Sequence, residues 1–243
     1  MKSTSETGHA KNVANFQHLI EFVTAYGDTY NPSKKSLQLP QLIALKATAE
    51  SSLAEVLTKN TLYNNKVNER LDAFSGLRPL STRLVNALQS TDATSQTIED
   101  AKTYNRKIQG KKASSSQPQT DPDAPVPNTI STSQQSYDQL IQHFAGLRSV
   151  LEAESSYSPN EKDLQIASID TKITGLSEKN TAVANAYAGV SNSRIARNET
   201  LYTKDDSLVE TATEVKKYIK SVFGATSPQF AQVKGIEFKK PKL

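Results

Sequence analysis

Two long stretches of this chain space their apolar side chains three and four residues apart, and no other feature restricts the fold as much. In the first, Leu39, Leu42, Lys46, Ala49, Leu53, Val56, Asn60, Tyr63, Val67, Arg70 and Phe74 alternate the two steps. In the second, Ile166, Ile169, Ile173, Leu176, Asn180, Val183, Tyr187, Val190, Arg194, Arg197 and Leu201 do the same. A strand would line one face with every second residue. Alternation of three and four instead draws a narrow stripe along a helix, which when sustained becomes a coiled-coil seam. At about 1.5 Å per residue each helix would run roughly 50 Å or more. The spacing therefore predicts an all-α fold, an elongated antiparallel helical bundle or coiled coil.

The two stretches also match each other. Tyr30-Asn31-Pro32 followed by Leu37-Gln38-Leu39 recurs as Tyr157-Ser158-Pro159 followed by Leu164-Gln165-Ile166, a shift of 127 residues. The same shift places Leu42 on Ile169, Val56 on Val183, Asn65 on Asn192, Arg70 on Arg197 and Phe74 on Leu201. Upstream, Phe16, Leu19 and Ile20 match Tyr137, Leu140 and Ile141 at a shift of 121, and downstream Ala93-Thr94-Ser95 matches Ala225-Thr226-Ser227 at 132. Shifts that drift only between elements are what a duplicated unit leaves when its loops diverge. The expectation is two repeated units of three to four helices.

Flanking helices are predicted at 13–26 and 137–152, after Pro79, from Asp206 to Gly224, and from a Thr94 cap to about Gln109. The second unit is expected to replace that last helix by a turn at Ser227-Pro228 and an extended tail over 233–238 that packs back. Pro159, or the residue after it, is expected to open the second long helix. The resulting division is a flexible N-terminus at 1–10, a first unit at 11–110, a linker at 111–133, a second unit at 134–224, and a turn with a basic tail at 225–243. Pro118, Pro122, Pro125 and Pro127 among Ser, Gln, Thr and Asp mark the linker.

Composition agrees with narrow stripes rather than a wide core: 36% of residues are hydrophobic and 7% aromatic. The absence of Cys excludes disulfides, thiolate metal sites and thiol nucleophiles. The polar first residues lack the apolar run of a signal peptide, and no stretch approaches a membrane span, so a cytoplasmic location is the expectation, with export by a signal-independent route the alternative. The net charge of +4 does not identify a nucleic-acid binder, because residues 1–110 carry 13 basic and 10 acidic groups and residues 136–243 carry 14 and 13.

Reactive side chains are few and scattered. His9, His18 and His143 are too few and too scattered for a metal cluster, and His143 aligns with Phe22, which points to packing. Gly110-Lys111 lacks the glycine five residues earlier that a phosphate loop needs. The pairs Glu99-Asp100 and Asp205-Asp206 stand near helix starts, where capping accounts for them. No catalytic, cofactor-binding or metal residue is expected. One sign of charge concentrates only at 106–112 and 239–242. Arg106, Lys107, Lys111, Lys112, Lys239 and Lys240 are therefore the candidate contacts to nucleic acid or another anionic polymer. Tyr30 and Tyr157, Arg70 and Arg197, and Asn65 and Asn192 recur in both units and are candidates for fixing register.

Three stretches carry a resemblance: Glu6-Thr7-Gly8-His9-Ala10-Lys11-Asn12-Val13-Ala14-Asn15-Phe16, Asn105-Arg106-Lys107-Ile108-Gln109-Gly110 and Phe223-Gly224-Ala225-Thr226-Ser227-Pro228. They resemble a family of uncharacterised, duplicated helical proteins from Bacteroidota, over most of the chain. The resemblance implies the duplicated helical architecture and brings no activity, cofactor or catalytic residue. Function is accordingly expected to be non-enzymatic: a structural or protein-interaction protein whose long helices meet a protein partner or further copies of the chain. Nucleic-acid or anionic-polymer binding is the alternative. A membrane-active role is disfavoured, because no apolar hairpin is present.

Overall fold

The structure, a computed structural model, describes residues 8–110 and 135–241. All regular elements among them are helical, as the spacing predicts. They are α1 (His9–Ala25), α2 (Leu39–Ser75), α3 (Leu77–Gln89), α4 (Ser95–Gln109), α5 (Tyr137–Ala153), α6 (Ile166–Asn198), α7 (Leu208–Phe223) and α8 (Pro228–Lys234). A π-helical turn, Glu199–Thr203, continues α6. None of the described helices is long and apolar enough to cross a membrane. The linker expected at 111–133 lies outside the described residues.

Local chemistry explains where the helices start and stop. Thr94 Oγ1 accepts from the Thr97 amide at 3.2 Å, Ser136 Oγ from Gln139 at 3.3 Å and Ser227 Oγ from Phe230 at 3.1 Å, each satisfying an N–H that the first turn leaves without a partner. Gly110 ends α4 at φ 75°, a left-handed conformation that suits glycine. Pro159 does not open the second long helix. The chain instead folds from Tyr157 through a 3₁₀ turn at Lys162–Leu164, and the Tyr157 hydroxyl donates to the Leu164 carbonyl at 2.9 Å. The same arrangement stands before α2, where a 3₁₀ turn at Lys35–Leu37 follows Tyr30 and its hydroxyl donates to the Leu37 carbonyl at 2.8 Å. In both places a buried ring and its hydrogen bond fix the approach to the helix, leaving the proline in the preceding loop.

The described residues fall into two compact units, and these are not the stretches 11–110 and 134–224 expected from the order of the chain. One unit takes its residues from Met1–Tyr63 and Ala186–Leu243, the other from Asn64–Asn185. Burial depends on which stripes meet, and the two ends of each long helix meet different neighbours. In the first unit Phe16, Leu19 and Val23 of α1 share a core with Leu42 and Ala49 of α2, Leu201 of the π turn, Leu208, Ala212, Val215 and Ile219 of α7, and Val233 of α8. The Tyr30 ring meets Tyr218 edge-on at 5.2 Å. In the second, Phe74 of α2, Leu77, Leu84 and Leu88 of α3, and Ile108 of α4 close on Phe144, Leu147 and Leu151 of α5 and on Ile169 and Leu176 of α6. α4 and α5 approach so tightly that a Cβ on Gly146 would lie 2.2 Å from the Tyr104 ring.

The seam positions Leu42, Val56, Ile169 and Val183 are all buried, as the spacing requires. Toward the middle of α2 the stripe thins. Asn60, Tyr63, Val67 and Arg70 are only half-buried, and side-chain contacts of other kinds replace apolar burial there. In the first unit Tyr63 meets the Tyr187 ring at 5.8 Å. In the second, Arg70 donates to Asn180 Oδ1 at 2.9 Å and lies 3.9 Å from the centre of the Tyr137 ring. Beside it Lys179 and Lys66 grip Glu69 and hold its carboxyl down at about 2.

Three further expectations need correction. Residues 8–10 do not belong to a flexible N-terminus: α1 opens at His9, whose imidazole is buried. Residues 228–234 are not a turn leading into a tail but a short helix, begun by Pro228 and capped by Ser227. The carboxylates expected to cap instead pair with cations, Glu99 with Arg106 at 2.7 Å and Asp206 with Lys34 at 2.9 Å.

His143 is buried in the second unit with Nε2 lacking a hydrogen-bond partner among the described residues. Burial, and then the charge of Lys107, lowers its pKa, so the folded protein keeps it neutral where the unfolded chain would protonate it. Stability should fall as pH drops below about 6.5, since the unfolded state then binds the extra proton. Replacing His143 by Leu should raise stability by about 1 kcal/mol at neutral pH, because an unsatisfied buried polar atom is removed. The gain should widen on acidification, and urea denaturation followed at pH 7.5 and pH 5 measures both.

Candidate functional site

A concave feature of the first unit lies where the start of α1, the π turn and the segment after α8 come together. Its volume is about 580 Å³, and it is lined by Gly8, Lys11, Asn12 and Asn15, by Tyr202, and by Glu237, Lys239, Lys240 and Pro241. Asn12 and Asn15, three residues apart, share a face of α1 and are both buried. Asn15 Nδ2 donates to the Glu237 carbonyl at 2.6 Å. Asn12 works in both directions, its Nδ2 donating to the Lys239 carbonyl at 2.8 Å and its Oδ1 accepting from the Lys239 amide at 3.0 Å. A side-chain amide thus satisfies both backbone groups of Lys239, and the end of the chain is held against α1. Phe238 adds an edge-on contact with Phe16 at 6.5 Å. This confirms the expectation that the tail packs back.

The π turn supplies Tyr202. Its widened register is visible in the Lys204 amide, which donates to the carbonyl of Glu199 five residues earlier at 3.1 Å. The Tyr202 hydroxyl accepts from Asn12 Nδ2 at 3.2 Å and shares a second hydrogen bond with His9 Nδ1 at 2.7 Å. Burial pushes the phenol pKa up, so Tyr202 is un-ionised at neutral pH and serves as a junction in a hydrogen-bonded network. Lys216 supports the tail from the other side by donating to the Ile236 carbonyl, and burial lowers its pKa below the usual lysine value.

The candidate anion contacts divide between the units. Lys239 and Lys240 reach the cleft, where Lys11 joins them; sequence reasoning missed Lys11 because it lies more than 200 residues away and carries no local signal. Arg106 and Lys107 belong to the second unit, in the last turn of α4. Arg106 is engaged by Glu99 and by Thr103 Oγ1 at 2.7 Å, and Lys107 lies 5.6 Å from the centre of the Tyr104 ring. Lys111 and Lys112 lie outside the described residues. The register candidates also separate. Tyr30 and Tyr157 make matching buried hydrogen bonds, whereas Arg70 reaches Asn180 and the buried Arg197 donates to Asn198 Oδ1 at 2.9 Å. Asn65 and Asn192 are exposed, off the seam where they were expected.

Among the described residues the cleft combines three ammonium groups with one carboxylate, Glu237, which lies 3.6 Å from Lys239 Nζ. The arrangement favours negative charge. Among the described residues no group of three or more His, Asp or Glu side chains is placed to hold a metal ion. No protein-family model, curated protein or solved structure matches the chain.

If Asn12 holds the end of the chain, Asn12→Ala should remove the acceptor for the Lys239 amide while leaving α1 helical. Hydrogen exchange at Lys239 should then accelerate by at least tenfold with little change around α5, a contrast read by mass spectrometry.

Proposed function

We propose that this protein is a non-enzymatic interaction protein that offers the outward sides of its long helices to a protein partner, further copies of the chain included. The observation that supports the reading is the exposure of large apolar side chains there. In the first unit Leu57 is 70% exposed, Ile195 55%, Ile43 51% and Tyr187 50%. Ile43 and Leu57 are fourteen residues apart, two full heptads, and therefore repeat on the same flank of α2. Leu71, the next position in that series, is 52% exposed in the second unit. Apolar surface that recurs on one flank is a better candidate for contact than side chains scattered singly.

The finer architecture belongs to the same proposal. The chain is read as a duplication that forms antiparallel helical bundles, and the matching Tyr30–Leu37 and Tyr157–Leu164 hydrogen bonds support this. So do the starts of α2 and α6 at Leu39 and Ile166, again 127 residues apart. The resemblance to duplicated helical proteins of Bacteroidota stands on the same footing. A second reading, binding of an anionic polymer, is favoured by the three lysines around the cleft.

On the first reading, light scattering with chemical cross-linking should show concentration-dependent self-association or capture of a specific partner. Leu57→Ser with Ile195→Ser should weaken that contact at least tenfold while shifting stability by only about 0.5 kcal/mol, because both side chains are exposed. A chain that stays monomeric and cross-links to nothing would count against it. The second reading requires nucleic-acid binding that weakens steeply with salt and is reduced by Lys239→Ala and Lys240→Ala.

A further inference from the structure

Each compact unit is built from both halves of the chain, before and after the 111–134 connection, and that has a consequence for what can bind to it. Among the described residues, the buried core of the first unit has seventeen, nine from Val13 to Ala49 and eight from Leu201 to Val233. That of the second has fifteen, seven from Phe74 to Ile108 and eight from Leu140 to Leu176. Neither the half before the 111–134 connection nor the half after it holds a complete core for either unit. Polar contacts follow the same division. Lys34 of the first half reaches Glu214 and Asp206 of the second, Tyr26 donates to the Gln229 carbonyl at 3.0 Å, and Lys172 of the second half donates to the Ala73 carbonyl at 2.8 Å.

The connection itself joins two points that already touch. Gln135 Nε2 donates to the Lys107 carbonyl at 2.7 Å, and Arg78 donates to Gln135 Oε1 at 3.0 Å. A connection of 24 residues is far longer than such a gap requires. From these observations we infer that the two halves, 8–110 and 135–241, are obligate partners, so that a second copy of the chain supplies either half and two copies close into a dimer by exchange. Every contact in the exchanged dimer is one the single chain already makes, which makes exchange a low-cost route to a dimer. Within one chain the halves face each other at an effective concentration on the order of 1 mM, so the monomer prevails when the protein folds well below that. Conversion of a folded monomer requires both cores to open, and a dimer once formed persists on dilution.

The test uses the full chain, with a cleavage site inserted between Pro118 and Pro122. Two preparations bear different affinity tags, each at both ends, and are unfolded together and refolded either dilute or near about 1 mM. Dilute refolding should give a monomer that keeps its mass of 26.6 kDa plus tags when cleaved in native buffer and separates into halves only in denaturant. Concentrated refolding should give a dimer carrying both tags. Cleavage should reduce it to monomer-sized particles in which the first half of one copy is captured with the second half of the other. Cut monomers that fall apart without denaturant, dimers that survive cleavage, or concentrated refolding that yields no dimer would each overturn the inference. Association through exposed apolar surface is separable, because that dimer survives cleavage and is lost in the Leu57→Ser, Ile195→Ser variant, which should leave the exchanged dimer unchanged.

Discussion

The structure depends on covering the apolar stripes of α2 and α6. A helix of 37 residues with such a stripe cannot bury it alone, and most helical stability in proteins comes from packing an amphipathic face rather than from intrinsic propensity. Leu42 and Ala49, near the start of α2, are buried against α1 and α7, while Phe74, near its end, is buried with α3, α5 and the start of α6. One continuous stripe thus serves two cores. Between them α2 carries no fully buried residue from Leu57 to Ala73, and Tyr63, Glu69 and Arg70 make ring, ion-pair and hydrogen-bond contacts in its place. Those contacts are directional where apolar packing is not, and a guanidinium with one fitting acceptor and one ring face fixes a register that aliphatic side chains would leave loose.

What the sequence made legible was whatever is written in spacing and local chemistry. The stripe residues, the Thr94 cap and the end of α4 near Gln109 follow from neighbours within a turn or two. The composition of the compact units does not. Periodicity records that Leu42 and Ile169 must be buried but not by which helix, and helices of the same period offer equivalent partners. Order along the chain suggested sequential units, and only coordinates reveal that α1 joins α7 while α5 joins α3 and α4. The short helix after Ser227 was missed for a related reason. Seven residues are too few to display a period, although Ser227-Pro228 carried the cap and the first-turn proline that announce one.

The cleft was partly readable for an instructive reason. Lys239 and Lys240 were visible as a concentration of charge, since like charges adjacent in sequence are conspicuous. Asn12, Asn15, His9 and Tyr202 were not, because a buried polar residue acquires meaning only from its partner, and the partners here are about 190 to 230 residues distant. The π turn left no mark in the spacing either: Leu201 fits the seam whether or not the helix widens. Its effect is to set Tyr202 beside Asn12 while Leu201 stays in the core, so that one widened turn serves packing and the polar network together.

The Asn12 amide also shows how firmly the two ends of the chain are coupled. It engages Tyr202 and both backbone groups of Lys239, and none of these alternatives lies in its own half of the chain. Removing the second half would expose the Asn12 amide to water together with Phe16 and Leu19, and removing the first would expose Tyr202 together with Ala212 and Val215. Each protein hydrogen bond given up to water costs about 0.5–1.5 kcal/mol net, and each large core side chain left in water about 1.5–3 kcal/mol. Polar and apolar terms therefore act in the same direction, and neither half reaches a satisfied state without the other.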